Sequence, residues 1–280
     1  MKDLKHYEGE FRGVKDLKIY YQAWVPDTPK AVIQLVHGGF EHSGRYQNII
    51  DELIPHSYAV YADDHRGHGK SEGLRNYVDS FDQFIEDEKI FYEIIKKQYP
   101  KLPIFMLGHS LGSFIAIFFT EKYEKLLHGL ILSGVGTGPG SETSGFLKAL
   151  AKIFSKIAPK MKINPKLDAK FLSHDPEVVK NYEVDPLVNA DKITVRLGYE
   201  MVKNFKNLKK AIENLKINLL VQCGSEDKLI SGSEELDEWF NMDDKTIKIY
   251  EGLYHEVYNE IEKDRRIVLK DLRAWLNNHI

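Results

Sequence analysis

Gly108-His109-Ser110-Leu111-Gly112 sets a serine between two glycines in the pattern G-x-S-x-G. A serine hydroxyl is a poor nucleophile at neutral pH. It needs a base to take its proton, and the base needs a partner to orient it. Three fixed residues recur by chance, so context decides. Here the apolar run Pro103 to Leu107 reads as a buried strand that ends just before the motif, and the helical stretch Leu111 to Tyr123 begins just after it. That is the strand–turn–helix context the motif requires. The sharp turn leaves no room for side chains at Gly108 and Gly112. It also puts Ser110 at a helix N-terminus, where negative charge is favoured.

At such a turn the chain order is serine, then acid, then histidine. Asp227 follows the strand Ile217 to Gln222 and sits at its C-terminal end, where open α/β sheets bind ligands. Its neighbour Glu226 is the fallback. Asp243 and Asp244 precede a strand and fall at the wrong end. Of the eleven histidines only His255 and His279 follow Asp227, and His279 is the penultimate residue. Elimination picks His255, after the strand Thr246 to Tyr250, as general base.

Attack on a carbonyl creates an oxyanion, which needs N–H donors already in place. Leu111 supplies one from the helix start. The second comes from the loop His37-Gly38-Gly39-Phe40, after the apolar run Ala31 to Val36. Gly39 is the chosen donor and Phe40 the alternative.

The elements that position these groups alternate between strand and helix. Lys18 to Val25 is an early strand, with Gly9 to Val14 as a possible hairpin partner. Tyr58 to Ala62 and Gly129 to Leu132 are further strands, and Phe81 to Gln98 is a helix. From about Val135 to Phe205 only helical patterns are found. Strands then return, with helices at Gly232 to Phe240 and Glu260 to Asn277. Alternation of this kind implies an α/β fold with a mostly parallel central sheet and helices on both faces. The chain divides into core (1–134), helical cap insertion (135–205) and core again (206–280).

At this point a family resemblance appears. His37-Gly38-Gly39-Phe40-Glu41-His42-Ser43-Gly44-Arg45-Tyr46 looks like the HGxxEHSGRY segment of monoacylglycerol lipases. Asp64 to Ser71 resembles their D-x-R-G-H-G-x-S loop, and the serine, acid and histidine loops fall where that family has them. The cap stretch Asp175-Pro176-Glu177 to Asp185-Pro186-Leu187 resembles it too. The resemblance runs from about residue 10 to the C-terminus. It implies the α/β-hydrolase fold and a lysophospholipase or monoacylglycerol lipase activity. It also implies that Glu41, Arg45 and Tyr182 lie near the polar head of the substrate. Leu111 stands where methionine is common in the family. Phe40 stands where a small residue often does, which narrows the site. His65 and His68 have no third metal ligand in sight, so neither a metal nor any other cofactor is expected.

Within the cap, Lys148, Lys152, Lys156 and Lys160 recur every four residues. Phe146, Leu147, Leu150, Ile153, Phe154, Ile157 and Met161 fall on the other side. The first expectation is that this apolar face packs on its own domain. Lining an acyl tunnel comes next, then contact with a lipid surface.

Composition narrows the field. With 42% apolar and 29% charged residues the 280-residue chain is ordinary for a globular protein, and a net charge of −3 offers nucleic acid no basic excess. One cysteine, Cys223, precludes an intramolecular disulfide. The charged start Met1 to His6 lacks the apolar region of a signal peptide, so a cytoplasmic protein is expected. The expected function is hydrolysis of a lipid ester, with glycerol or a derivative leaving. A carboxylesterase, a thioesterase and an aminopeptidase on the same fold are rivals, and a non-catalytic binding protein is a distant one.

Overall fold

The structure, a computed structural model, describes residues 4–139, 152–165 and 167–280. One sheet of eight strands forms its centre. In chain order they are β1 (Lys5–Arg12), β2 (Lys18–Val25), β3 (Ala31–Val36), β4 (Tyr58–Asp63), β5 (Ile104–His109), β6 (Gly129–Ser133), β7 (Leu219–Gly224) and β8 (Lys245–Tyr250). The helices used below are α1 (Gln47–Leu53), α2 (Asp82–Gln98), α3 (Leu111–Tyr123), α4 (Pro176–Val184), α5 (Val195–Glu213) and α6 (Glu262–Asn278). The spatial order is β1-β2-β4-β3-β5-β6-β7-β8. β1 and β2 form an antiparallel hairpin, and β2 runs antiparallel to β4. Every other neighbouring pair is parallel.

β3 explains why the central strands read as unbroken apolar runs. Val32 and Val36 enter the core under α2, α3 and α5, whereas Ile33 and Leu35 enter the core under α1 and α6. A strand covered on both faces has no polar side. Burying each such side chain contributes about 1.5–3 kcal/mol. The one polar residue, Gln34, is buried but satisfied as a donor. Its Nε2 donates to Glu88 O at 3.0 Å and Glu88 Oε2 at 2.7 Å.

Several expectations are corrected. The first strand is Lys5–Arg12 rather than 9–14, because residues 14–16 form a turn in which Lys15 and Asp16 have positive φ. The helix expected over Gly232 to Phe240 shrinks to Leu236–Trp239, since Gly232 takes φ +76°, a turn conformation that a helix cannot continue from. α1 was not anticipated. Between β6 and β7 lie α4, α5, a described helical stretch at 152–157 and short two-residue strands. Gly138–Pro139 pairs with Ile230–Ser231, and Lys162–Ile163 pairs with Ile193–Thr194. The boundary placed at 205 falls inside the continuous helix α5.

Candidate active site

Ser110 caps β5 at the start of α3 with φ 52° and ψ −118°. A non-glycine residue held there costs about 1–3 kcal/mol, which its surroundings must offset. Its N–H donates to Ser133 O at 2.9 Å, and Ser113 Oγ bridges Gly108 O (2.8 Å) and Ser133 O (2.9 Å). The flanking glycines follow from contact distances. A Cβ on Gly112 would lie 2.0 Å from Val36 O, and one on Gly108 would lie 2.4 Å from Gly112 O. The first turn of α3 therefore presses on the end of β3. That brings Leu111 beside Gly39, where an added Cβ would sit 3.7 Å from Leu111 Cβ. As the first helical residue, Leu111 has an N–H outside the helix's own bonding pattern.

The loops after β7 and β8 bring Asp227 and His255 together. His255 Nδ1–H donates to Asp227 Oδ2 at 2.6 Å. Asp227 Oδ1 accepts from the N–H groups of Leu229 (2.8 Å) and Ile230 (3.0 Å). Glu226, the fallback, is exposed. His279 stacks on Trp275 and pairs with Asp244, whose carbonyl accepts from Leu219 at the start of β7, the far end of the sheet. Burial favours a neutral His255 ring, but the Asp227 charge and hydrogen bond outweigh it and hold the pKa above the ordinary value. Burial also works against ionised Asp227, yet His255 and the two backbone donors keep its pKa lowered.

Ser110, Leu111, His255, Gly39, Phe40, Glu41, Arg45 and Tyr182 all line one cleft of about 120 Å³, with Asp227 behind the imidazole. Arg45 is not an open cation. Its Nη1 meets Glu41 Oε2 at 2.6 Å, and its fork grips Glu256 at 2.7 and 2.9 Å. The Tyr182 ring lies over the guanidinium at 4.7 Å. Glu41 Oε1 in turn accepts from Gly38 N–H and Tyr46 O–H, both at 2.7 Å. Phe40 adopts φ +70°, and its carbonyl accepts from Asn189 N–H at 3.0 Å.

Two titratable cleft residues were not singled out from the sequence. Glu256 is buried and closes the Arg45 network, but in sequence it is only a Glu after a His. His109 sits in the motif's variable position. Burial and the neighbouring His255 push it down to about 4, so its ring stays neutral 4.9 Å from that of His255. Its place before Ser110 was the one available signal.

The cap stripe is only partly described: Phe146, Leu147, Lys148 and Leu150 lie outside the described residues. Where it is described, the expected packing of its apolar face is corrected. Ile153 is 52% exposed and Ile157 75%, with Phe154 and Met161 also exposed, whereas Ser155 is buried. Periodicity reveals a stripe but not which way it faces.

A nucleophile elbow on a mostly parallel sheet, with acid and histidine loops after its last strands, defines the α/β-hydrolase class. The chain belongs to the family described as serine aminopeptidase, S33, whose pattern matches residues 27–262, and it is a serine hydrolase. It is 36% identical to the monoacylglycerol lipase of Mycolicibacterium smegmatis over 98% of both chains. It is 34% identical to the human monoglyceride lipase over 92% of this chain and 86% of that one. Among solved structures, the monoacylglycerol lipase of Paleococcus ferrophilus superposes with a TM-score of 0.82 at 33% identity, covering 99% of this chain and 100% of the other.

Proposed function

We propose that the protein cleaves monoacylglycerols, or lysophospholipids of similar shape, through an acyl-enzyme on Ser110. Ser110 Oγ attacks the ester carbon while His255 Nε2 takes its proton. Asp227 fixes the tautomer and balances the imidazolium charge. The Gly39 and Leu111 N–H groups receive the oxyanion. Collapse breaks the C–O bond, and the alkoxide leaves with the proton from His255 as glycerol or a derivative. Water then attacks the acyl-enzyme by the same route, frees the fatty acid and restores Ser110. No cofactor enters these steps.

The observation that carries this reading is the 2.6 Å Asp227–His255 bond in the cleft that Ser110 lines. The full-length likeness to monoacylglycerol lipases supports the ester. The family's description favours an amide as the second reading. The segment between β6 and β7 acts as a cap over the cleft, to which it contributes Leu172 and Tyr182. Its exposed apolar residues 153, 154, 157 and 161, interleaved with Lys152, Lys156 and Lys160, suit transient contact with an anionic lipid surface.

The test is release of fatty acid from monoacylglycerols of increasing chain length, alongside amino-acid amides. The parent releases fatty acid, and Ser110→Ala loses at least about 10⁴-fold in kcat. Amide turnover without ester turnover would replace the lipase reading with a peptidase. Full activity in Ser110→Ala would remove the serine mechanism.

A further inference from the structure

Beneath the loop that carries Gly39, away from solvent, lie Asp63, His65 and Glu88, each at most 2% exposed. Their ligand-capable atoms sit within 4.8 Å of one another. Among the described residues, both oxygens of Asp63 and Glu88 Oε1 have no hydrogen-bond partner at ordinary distance. Buried carboxylate oxygens without partners are costly, so such a cluster calls for a cation. The chain supplies one. His65 Nδ1 faces Glu88 Oε1 at 3.4 Å and Asp63 Oδ2 at 3.7 Å. Its other nitrogen, Nε2, donates to the carbonyl of His37 at 2.9 Å.

The contact with His37 is double. The backbone N–H of His65 donates to His37 Nε2 at 2.9 Å, and the two rings stack with centroids 3.8 Å apart. A backbone N–H can only donate, so His37 Nε2 must be the acceptor and the His37 proton must sit on Nδ1. That proton is donated to Gly38 O at 2.7 Å. The Gly38–Gly39 peptide is planar and trans, so fixing its carbonyl fixes the Gly39 N–H in the opposite direction.

We propose that His65, held as an imidazolium between Asp63 and Glu88, is the positioning residue of the oxyanion hole and acts through His37 on the Gly38–Gly39 peptide. This rests on the assignment of Gly39 as an oxyanion donor. The titration pattern agrees. Burial disfavours a charged His65, but Asp63 and Glu88 overcome it and raise the group to about 10. Burial, followed by the His65 charge, keeps His37 well below its usual value and therefore neutral. Burial and the neighbouring Asp63 push Glu88 up to about 8.

The test compares His65→Gln, whose amide N–H reaches the place of Nε2, with His65→Asn, whose amide does not. Fluorophosphonate titration counts competent Ser110 sites, and kcat and KM are expressed per titrated site. His65→Asn is expected to lose about 10- to 100-fold in kcat with KM within twofold, and to bind a trifluoromethyl ketone weaker by the same factor. His65→Gln recovers most of both. Because loss of a buried cation can unfold the chain, His37→Gln provides a second route. It keeps an acceptor for His65 N–H but loses the donor to Gly38 O, so it is expected to match His65→Asn. Normal kcat and ketone affinity per titrated site in the folded variants would overturn the proposal. So would a stoichiometric metal ion found in the purified protein by elemental analysis. Failure of the parent to react with fluorophosphonate would instead count against the serine mechanism itself.

Discussion

At the scale of single residues, protonation decides what the site does. A general base works only when neutral, and the pKa of His255 is held above 6.5 chiefly by Asp227 acting against burial. The sign follows. Activity is low below that raised pKa and climbs as pH passes through it, so the acid limb of kcat/KM should have its midpoint above 6.5. In Asp227→Asn burial acts with less opposition. The limb should move to lower pH while kcat falls by about 10⁴, because the imidazole loses its orienting acceptor. A pH–rate profile of both proteins checks this, and a midpoint that stays put would mean Asp227 does not set the base. The Arg45 network gives a second residue-scale prediction. Glu256 is buried and bidentate on Arg45, which keeps Glu41 as its other partner. Glu256→Gln should therefore cost about 3 kcal/mol, at the low end for breaking a buried pair. That corresponds to a Tm lower by roughly 6–10 °C in calorimetry. A change below 2 °C would mean that Glu41 alone satisfies the guanidinium.

At the scale of elements, the parts that carry chemistry were the parts most legible in sequence. β3 and β5 are buried on both faces, and a continuous apolar run ending in a glycine-bearing turn has few other readings. The loops after β7 and β8 inherited their positions from those strands. β1 was harder, because an edge strand with exposed Lys5, Glu8 and Arg12 alternates too weakly to fix its ends. α1 has only seven residues, fewer than two full turns of pattern. The Arg45–Glu256 pair joins residues 211 apart in sequence, and the Asp63–His65–Glu88 cluster unites a strand end, a loop and a helix. No local pattern announces either. The stripe around 152–161 was visible, but its outward orientation was not, since the same periodicity serves a core and a membrane. Its exposure gives the prediction for this scale. Ile157→Glu removes one insertable side chain and adds a like charge to an anionic surface. Binding to phosphatidylglycerol vesicles should fall at least about tenfold, with hydrolysis of a short soluble ester unchanged. Equal sedimentation of both proteins with vesicles would exclude this face from lipid contact.

At the scale of the whole molecule, the core and the segment proposed as a cap meet on the same short loop. Asn189 N–H donates to Phe40 O, His42 Nε2 lies 2.9 Å from Asp185 Oδ2, and Tyr182 covers Arg45. The cap also runs along the histidine loop, where Glu256 N–H donates to Leu172 O at 2.8 Å. Displacement of the proposed cap would therefore act on the oxyanion side and the base side of the cleft together. The His42–Asp185 pair is partly buried, with the Asp185 side chain about a quarter exposed, and it is the one of these ties made by two side chains of opposite charge type, so removing it should loosen the cap without unfolding the core. A hydrogen bond to a charged group contributes about 1.5–3 kcal/mol, and Asp185→Asn should lower Tm by no more than about 10 °C. Hydrogen exchange should nevertheless quicken severalfold in α4, with β3, β5 and α3 unaffected. On the proposal that the cap covers the cleft and meets the acyl chain, KM for long-chain monoacylglycerols should rise while that for a short soluble ester holds. Uniform acceleration of exchange through the sheet would mean that cap and core open as one unit. An unchanged α4 would mean that the Phe40 and Leu172 backbone bonds hold the cap without the ion pair.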